Sequence, residues 1–168
     1  MTPATRSHAR LAFAIALTAY GIYYIVTPDH YGLIDNLDLA IHETGHLVFS
    51  PFGEFITALG GTLLQLIFPA AFVWYFQHRG DRYAAGVGLW WLAQSCWNVA
   101  TYVKDAQAQE LPLVGGGEHD WTYLLGELGW LEQDQLVGQT IRVVGIVLFL
   151  VAIVRCFVTA RVREGEAA

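Results

Sequence analysis

Residues 41–47 read Ile41-His42-Glu43-Thr44-Gly45-His46-Leu47, an H-E-x-x-H pattern in a short apolar segment expected to be helical. Two histidines four positions apart on a helix differ by about 400° of rotation, so one imidazole stands nearly above the other. Both can face one metal ion, with Glu43 beside them as a candidate base. Gly45 has no side chain, so another backbone or a substrate can approach the helix there.

Working outward, the apolar run covers 37–49 and is closed by Pro51 and Gly53. Asp35 or Asn36 is the expected N-cap, which makes an embedded helix of about 36–50. The apolar run rises only about 20 Å, too little to cross a bilayer core of roughly 30 Å. The surrounding chain reads as a membrane frame for this helix. Of its 168 residues, 55% are hydrophobic and only 14% charged, with 17 Gly, 6 Trp and 8 Tyr. That mixture fits helices packing in lipid with aromatic rings at the interfaces. A net charge of -6 with no basic cluster excludes nucleic acid as the expected partner. Cys96 and Cys156 lie in apolar runs and read as small core residues.

The expected fold class is an all-α integral membrane protein: about four transmembrane helices plus the short embedded helix, in one domain over 1–168. The spans are expected at about 9–26, 56–76, 83–103 and 139–160, with an outer loop at 104–138. Residues 1–26 look partly like a signal peptide, but no A-x-A pattern follows, and the segment reads as a retained first span. Arg142 and Arg155 can snorkel from near the ends of the last span.

Charge placement orients these spans. Arg6 and Arg10 precede the first, Arg79 and Arg82 separate the second and third, and Arg161 and Arg163 follow the fourth. Between Arg10 and Arg79, and between Lys104 and Arg142, there is no Lys or Arg. The positive-inside rule then puts both termini and the 77–82 turn on the cytoplasmic side of the membrane. Loops 27–55 and 104–138 share the opposite side, so the metal helix and the glycine-rich loop can meet there.

Catalytic zinc usually takes three protein ligands and a water. His42 and His46 supply two. His119, after Gly115-Gly116-Gly117-Glu118, is the expected third, with Asp105 and Asp120 as alternatives. If His119 is the ligand, Asp120 orients it or another ligand. Asn98 and Gln94, four apart, are candidates to contact a substrate carbonyl or its oxyanion, or else to bind helices together. Gln65 carries the same two readings. Glu54 either pairs with a ligand histidine or faces water. His8, His30 and His78 are given no role.

His42-Glu43-Thr44-Gly45-His46 on a membrane helix resembles the site-2 protease family of intramembrane zinc metalloproteases. Small bacterial proteins grouped loosely with that family run from the motif into a Pro-Phe-Gly-Glu-Phe stretch and a Gly-Gly, as residues 51–55 and Gly60-Gly61 do here. The resemblance implies that His42 and His46 bind one Zn²⁺ and that Glu43 is the catalytic carboxylate. It implies cleavage of a membrane protein or peptide substrate in or near the bilayer. The family's Asn-Pro-Asp-Gly-like motif, which supplies its third ligand, does not stand in this chain. A non-catalytic metal-binding membrane protein, or a zinc hydrolase of lipid amides or esters, are the alternative functions.

Overall fold

The structure, a computed structural model, describes residues 3–28, 30–114 and 118–160. The glycine run 115–117, and Arg161 and Arg163, lie outside the described residues. Within them the chain forms six α-helices and no strand. These are α1 (Pro3–Val26), α2 (Leu33–Phe49), α3 (Glu54–His78), α4 (Arg82–Lys104), α5 (Asp120–Glu127) and α6 (Asp134–Ala160), with 3₁₀ turns at Ser50–Phe52 and Leu131–Gln133.

Among the described residues, three helices are long and apolar enough to cross a membrane: Ala4–Val26, Glu54–His78 and Leu131–Ala160. The expected span at 83–103 falls on α4, which at 23 residues is about 34 Å long. It has the length but not the apolarity. The reason lies in its position. Five consecutive residues, Ala93–Trp97, are buried, which a helix covered on one face does not allow. α4 is sheathed by α3 and α6, so it carries Gln94, Ser95 and Asn98 where a lipid-facing helix carries leucine. The outer helices show the converse, with Val143, Val147, Leu150, Val151 and Val154 of α6 exposed.

One end of the bundle gathers the start of α1, the α3–α4 turn and the end of α6. Ser7 Oγ donates to Ala160 O at 2.9 Å, Tyr83 OH to Arg10 O at 2.6 Å, and Arg155 Nε to Arg82 O at 3.0 Å. The turn closes on Gly80 at φ 76°, and Asp81 accepts from Ala84 N at 2.9 Å to cap α4. At the other end, Arg142 Nη2 donates to Ile25 O at 2.9 Å, satisfying a carbonyl that the last turn of α1 leaves free.

α2 and α3 form a helical hairpin bent by Pro51 and by Gly53, whose φ is 92°. Their backbones meet directly: a Cβ on Gly45 would lie 2.3 Å from Gly60 O. α2 starts earlier than the sequence suggests, after Gly32. Asp35 therefore sits inside the first turn, where its Oδ2 accepts from Gly32 N at 2.7 Å. Leu33, Leu37, Leu47 and Val48 leave the outer side of α2 apolar and exposed.

Candidate metal centre

His42 and His46 lie on the side of α2 that faces α3 and α5, with ring centroids 4.8 Å apart. The acid that meets them is Asp120, in the first turn of α5. Asp120 Oδ2 is 3.0 Å from His42 Nε2 and 3.2 Å from His46 Nε2. Among the described residues, His42, His46 and Asp120 form the one group of His, Cys, Asp or Glu that could hold a metal ion, with one ligand atom from each inside 4.8 Å. Ligands bound tetrahedrally to zinc at 2.0–2.1 Å stand about 3.3 Å apart, close to the two distances from Asp120 to the histidines.

The opposite ring nitrogens are spoken for. His42 Nδ1 is 3.1 Å from Gln65 Oε1, and His46 Nδ1 is 2.8 Å from Thr57 O. Both partners are acceptors, so each Nδ1 donates and each Nε2 is left for a ligand bond. Gly61 makes room for the first ring, since a Cβ there would be 2.5 Å from His42 Nε2. The hydrogen bond to Asp120 raises the His46 pKa to about 9, against burial, which lowers it. Burial pushes the Asp120 carboxyl up, and its bonds to His42 and His46 outweigh that and bring it down to about 2.

His119, the expected third ligand, is turned away. It is the N-cap of α5 and accepts from Thr122 N through Nδ1 at 3.3 Å. Its Nε2 faces Asp105 Oδ2 at 3.4 Å, an ion-pair distance without hydrogen-bond alignment. The ring is fully buried against Tyr102, and burial lowers its pKa. The physical reason for the exchange is helix geometry. Capping fixes His119 outside the helix, and the next residue, Asp120, is the one aimed at α2. Asp105 is also occupied: it accepts from Glu110 N at 2.9 Å and Leu111 N at 3.1 Å, folding back the loop after α4.

Gln94 is fully buried and donates to Asp35 Oδ1 at 2.8 Å. It does not line the site cavity, so it offers no substrate contact. Asn98 does line the cavity, but its amide is used on both sides, by Gln65 at 2.7 Å and Asp35 at 3.0 Å. Glu54 is exposed, and His46, with which it shares a cavity, bonds to Thr57 O instead.

Glu43 lines a cavity of about 750 Å³ together with His42, His46 and Asp120. Tyr24, Leu39, Trp97 and Tyr102 give it aromatic and apolar walls, and residues 111–114 border it. A second cavity of about 460 Å³ adjoins, lined by Ser50, Glu54, Thr57 and Tyr123. His46, Glu118 and Asp120 line both, so the metal group stands where the two meet. Trp121 Nε1 donates to Thr62 Oγ1 at 3.2 Å, tying α5 to α3 beside Asp120.

Asp35 and Asp38 are not among the site candidates of the sequence, yet both are buried on the same side of α2 as His42. The signal is present in the sequence: positions 35, 38 and 42 recur at helical spacing. Asp35 accepts from Tyr24 OH, Gly32 N, Gln94 and Asn98. Asp38 accepts from Trp91 Nε1 at 2.9 Å and Ser95 Oγ at 3.3 Å.

No protein-family model, curated protein or solved structure matches the chain.

Proposed function

We propose that the protein is a zinc-dependent integral membrane hydrolase, a peptidase acting on membrane proteins or peptides in or near the bilayer. The reading is carried by one observation: a two-histidine, one-carboxylate group and Glu43 border the same cavity. Three protein ligands beside open space are the pattern of a catalytic zinc site, whereas structural sites are closed by four. Zinc held by His42, His46 and Asp120 would lower the pKa of a water toward 7 and polarise a substrate carbonyl.

The remaining chemistry falls to side chains of this chain. Glu43 accepts the proton of the attacking water and returns it to the leaving amine. Gln65 and Thr57 O hold the two imidazoles in the orientation that ligation needs. The cavities on either side of the group suit an extended chain crossing it, with apolar residues beside Trp97 and Tyr102. In this reading α4 is a fourth, protein-sheathed span, α2 is embedded without crossing, and the site faces the non-cytoplasmic side. The resemblance to the site-2 protease family rests on residues 42–46 and the stretch that follows them.

The test compares wild type with Glu43→Gln in detergent, measuring zinc content and cleavage of membrane-peptide substrates. Glu43→Gln is expected to keep its zinc and to lose turnover by about 10²–10⁴. Full activity in Glu43→Gln, or a wild-type chain without zinc, would sink the proposal.

A further inference from the structure

Four side chains form a continuous hydrogen-bonded series that ends on a ligand histidine. Asn98 Nδ2 donates to Asp35 Oδ1 at 3.0 Å, Gln65 Nε2 donates to Asn98 Oδ1 at 2.7 Å, and His42 Nδ1 lies 3.1 Å from Gln65 Oε1. Oxygen and nitrogen of a side-chain amide are assigned from their partners. On the Asn98 side of the series, one partner lacks that ambiguity. A carboxylate can only accept, and Asp35, buried to 1% exposure, is held by three further donors: Tyr24 OH, Gly32 N and Gln94 Nε2. Asn98 must therefore turn its NH₂ to Asp35 and its oxygen to Gln65. Gln65 must turn its NH₂ to Asn98 and its oxygen to His42. His42 is left to donate from Nδ1, and Nε2, which stands 3.0 Å from Asp120 Oδ2, is the nitrogen on the metal side.

From this we infer that Asp35 is a positioning residue that selects the ligating nitrogen of His42 through the fixed polarity of the Asn98 and Gln65 amides. Its consequence for zinc rests on the proposed reading of the site; the direction of the hydrogen bonds does not. The same series carries a share of the Asp35 charge toward the ring, because hydrogen bonds in a chain polarise one another at low dielectric.

Asp35→Asn removes the fixed end. The amide it introduces can present an NH₂ to Asn98, both amides of the series can reverse, and Gln65 can then donate to His42 Nδ1. Zinc affinity of the full chain in detergent, measured by chelator competition, is expected to fall by about 10–100-fold. ¹⁵N NMR of the metal-free protein should show the proton leaving His42 Nδ1. Gln65→Glu placed on the Asp35→Asn background should recover most of the affinity and return that proton, because the carboxylate it introduces accepts from His42 directly. A purely structural role for Asp35 would not be rescued by a change at Gln65. Asn98→Leu cuts the series while leaving Asp35 its other three donors, and should give the same loss and the same rescue even if Asp35→Asn fails to fold. The inference is overturned if Asn98→Leu keeps wild-type affinity with Nδ1 protonated, or if Gln65→Glu rescues neither variant. A wild-type chain that binds no zinc overturns the metal reading, and the His42 ring-nitrogen signal then decides the inference alone.

Discussion

The His42 imidazole lies over Gly61, so closely that a Cβ on Gly61 would stand 2.5 Å from Nε2. Gly61→Ala must push the ring off its place or part α2 from α3. Overpacking of this kind costs about 1–3 kcal/mol. The loss should show more strongly in zinc affinity than in melting temperature, because the ring is the flexible partner. A Gly61→Ala variant with wild-type zinc affinity would show that Nε2 does not face the ion.

Asp120 and His119 are neighbours with separate work. Asp120→Ala removes a ligand atom from the group and should abolish zinc binding at micromolar concentration. His119→Ala removes the cap of α5, a loss of about 1 kcal/mol, and should weaken zinc only through looser placement of Asp120. Zinc titration of the two variants side by side separates them. The opposite order would return His119 to the ligand set.

Much of this was legible in the sequence, and the part that was not has a physical cause. His42 and His46 share a face because helical spacing alone brings them together, and Glu43, next in the chain, borders the same cavity. Three apolar helices follow from length and composition. α4 falls short of those three in apolarity because apolar content reports contact with lipid, while Ala93–Trp97 are surrounded by protein. The third member of the group depended on which residue caps α5. His119 and Asp120 are adjacent, both suit a metal, and only the folded loop decides between them. The series from Asp35 to His42 joins α2, α3 and α4, a set of contacts between distant parts of the chain that no local pattern encodes.

Zinc loading should release a proton from His46. Its hydrogen bond to Asp120 holds the pKa at about 9, so at neutral pH the metal-free ring carries a proton on Nε2 that a ligand bond must displace. The folded value is raised above the ordinary histidine value of about 6.5. The stabilisation is therefore complete below about 6.5 and is lost as pH rises through about 9. The metal-free chain should lose stability across that window and the zinc-loaded chain should not. Calorimetric titration with zinc in two buffers of different ionisation enthalpy counts the protons released. A count of zero would contradict the pairing with Asp120.

Asp38 gives a pH dependence of a different kind. Its carboxyl is fully buried, and burial pushes its pKa up to about 6, with the Asp35 charge adding to the rise and the Trp91 and Ser95 bonds opposing it. Tyr31 and Cys96 also feel its charge. For an acid with a raised folded value, the native state binds the proton more tightly than the unfolded chain. Stability is then highest below about 3.9, the ordinary aspartate value, and falls as pH rises through about 6. The fall amounts to about 3 kcal/mol, taking 1.36 kcal/mol per pH unit of difference. Asp38→Asn keeps an oxygen for Trp91 and Ser95 and removes the charge. It should be more stable than wild type at neutral pH by about 1–3 kcal/mol and should lose the slope between about pH 4 and 6. Thermal melts of the two chains across that range test it. A wild-type chain whose melting temperature rises with pH through this window would mean that Asp38 is ionised and satisfied in the fold, by a partner that the Trp91 and Ser95 contacts do not supply.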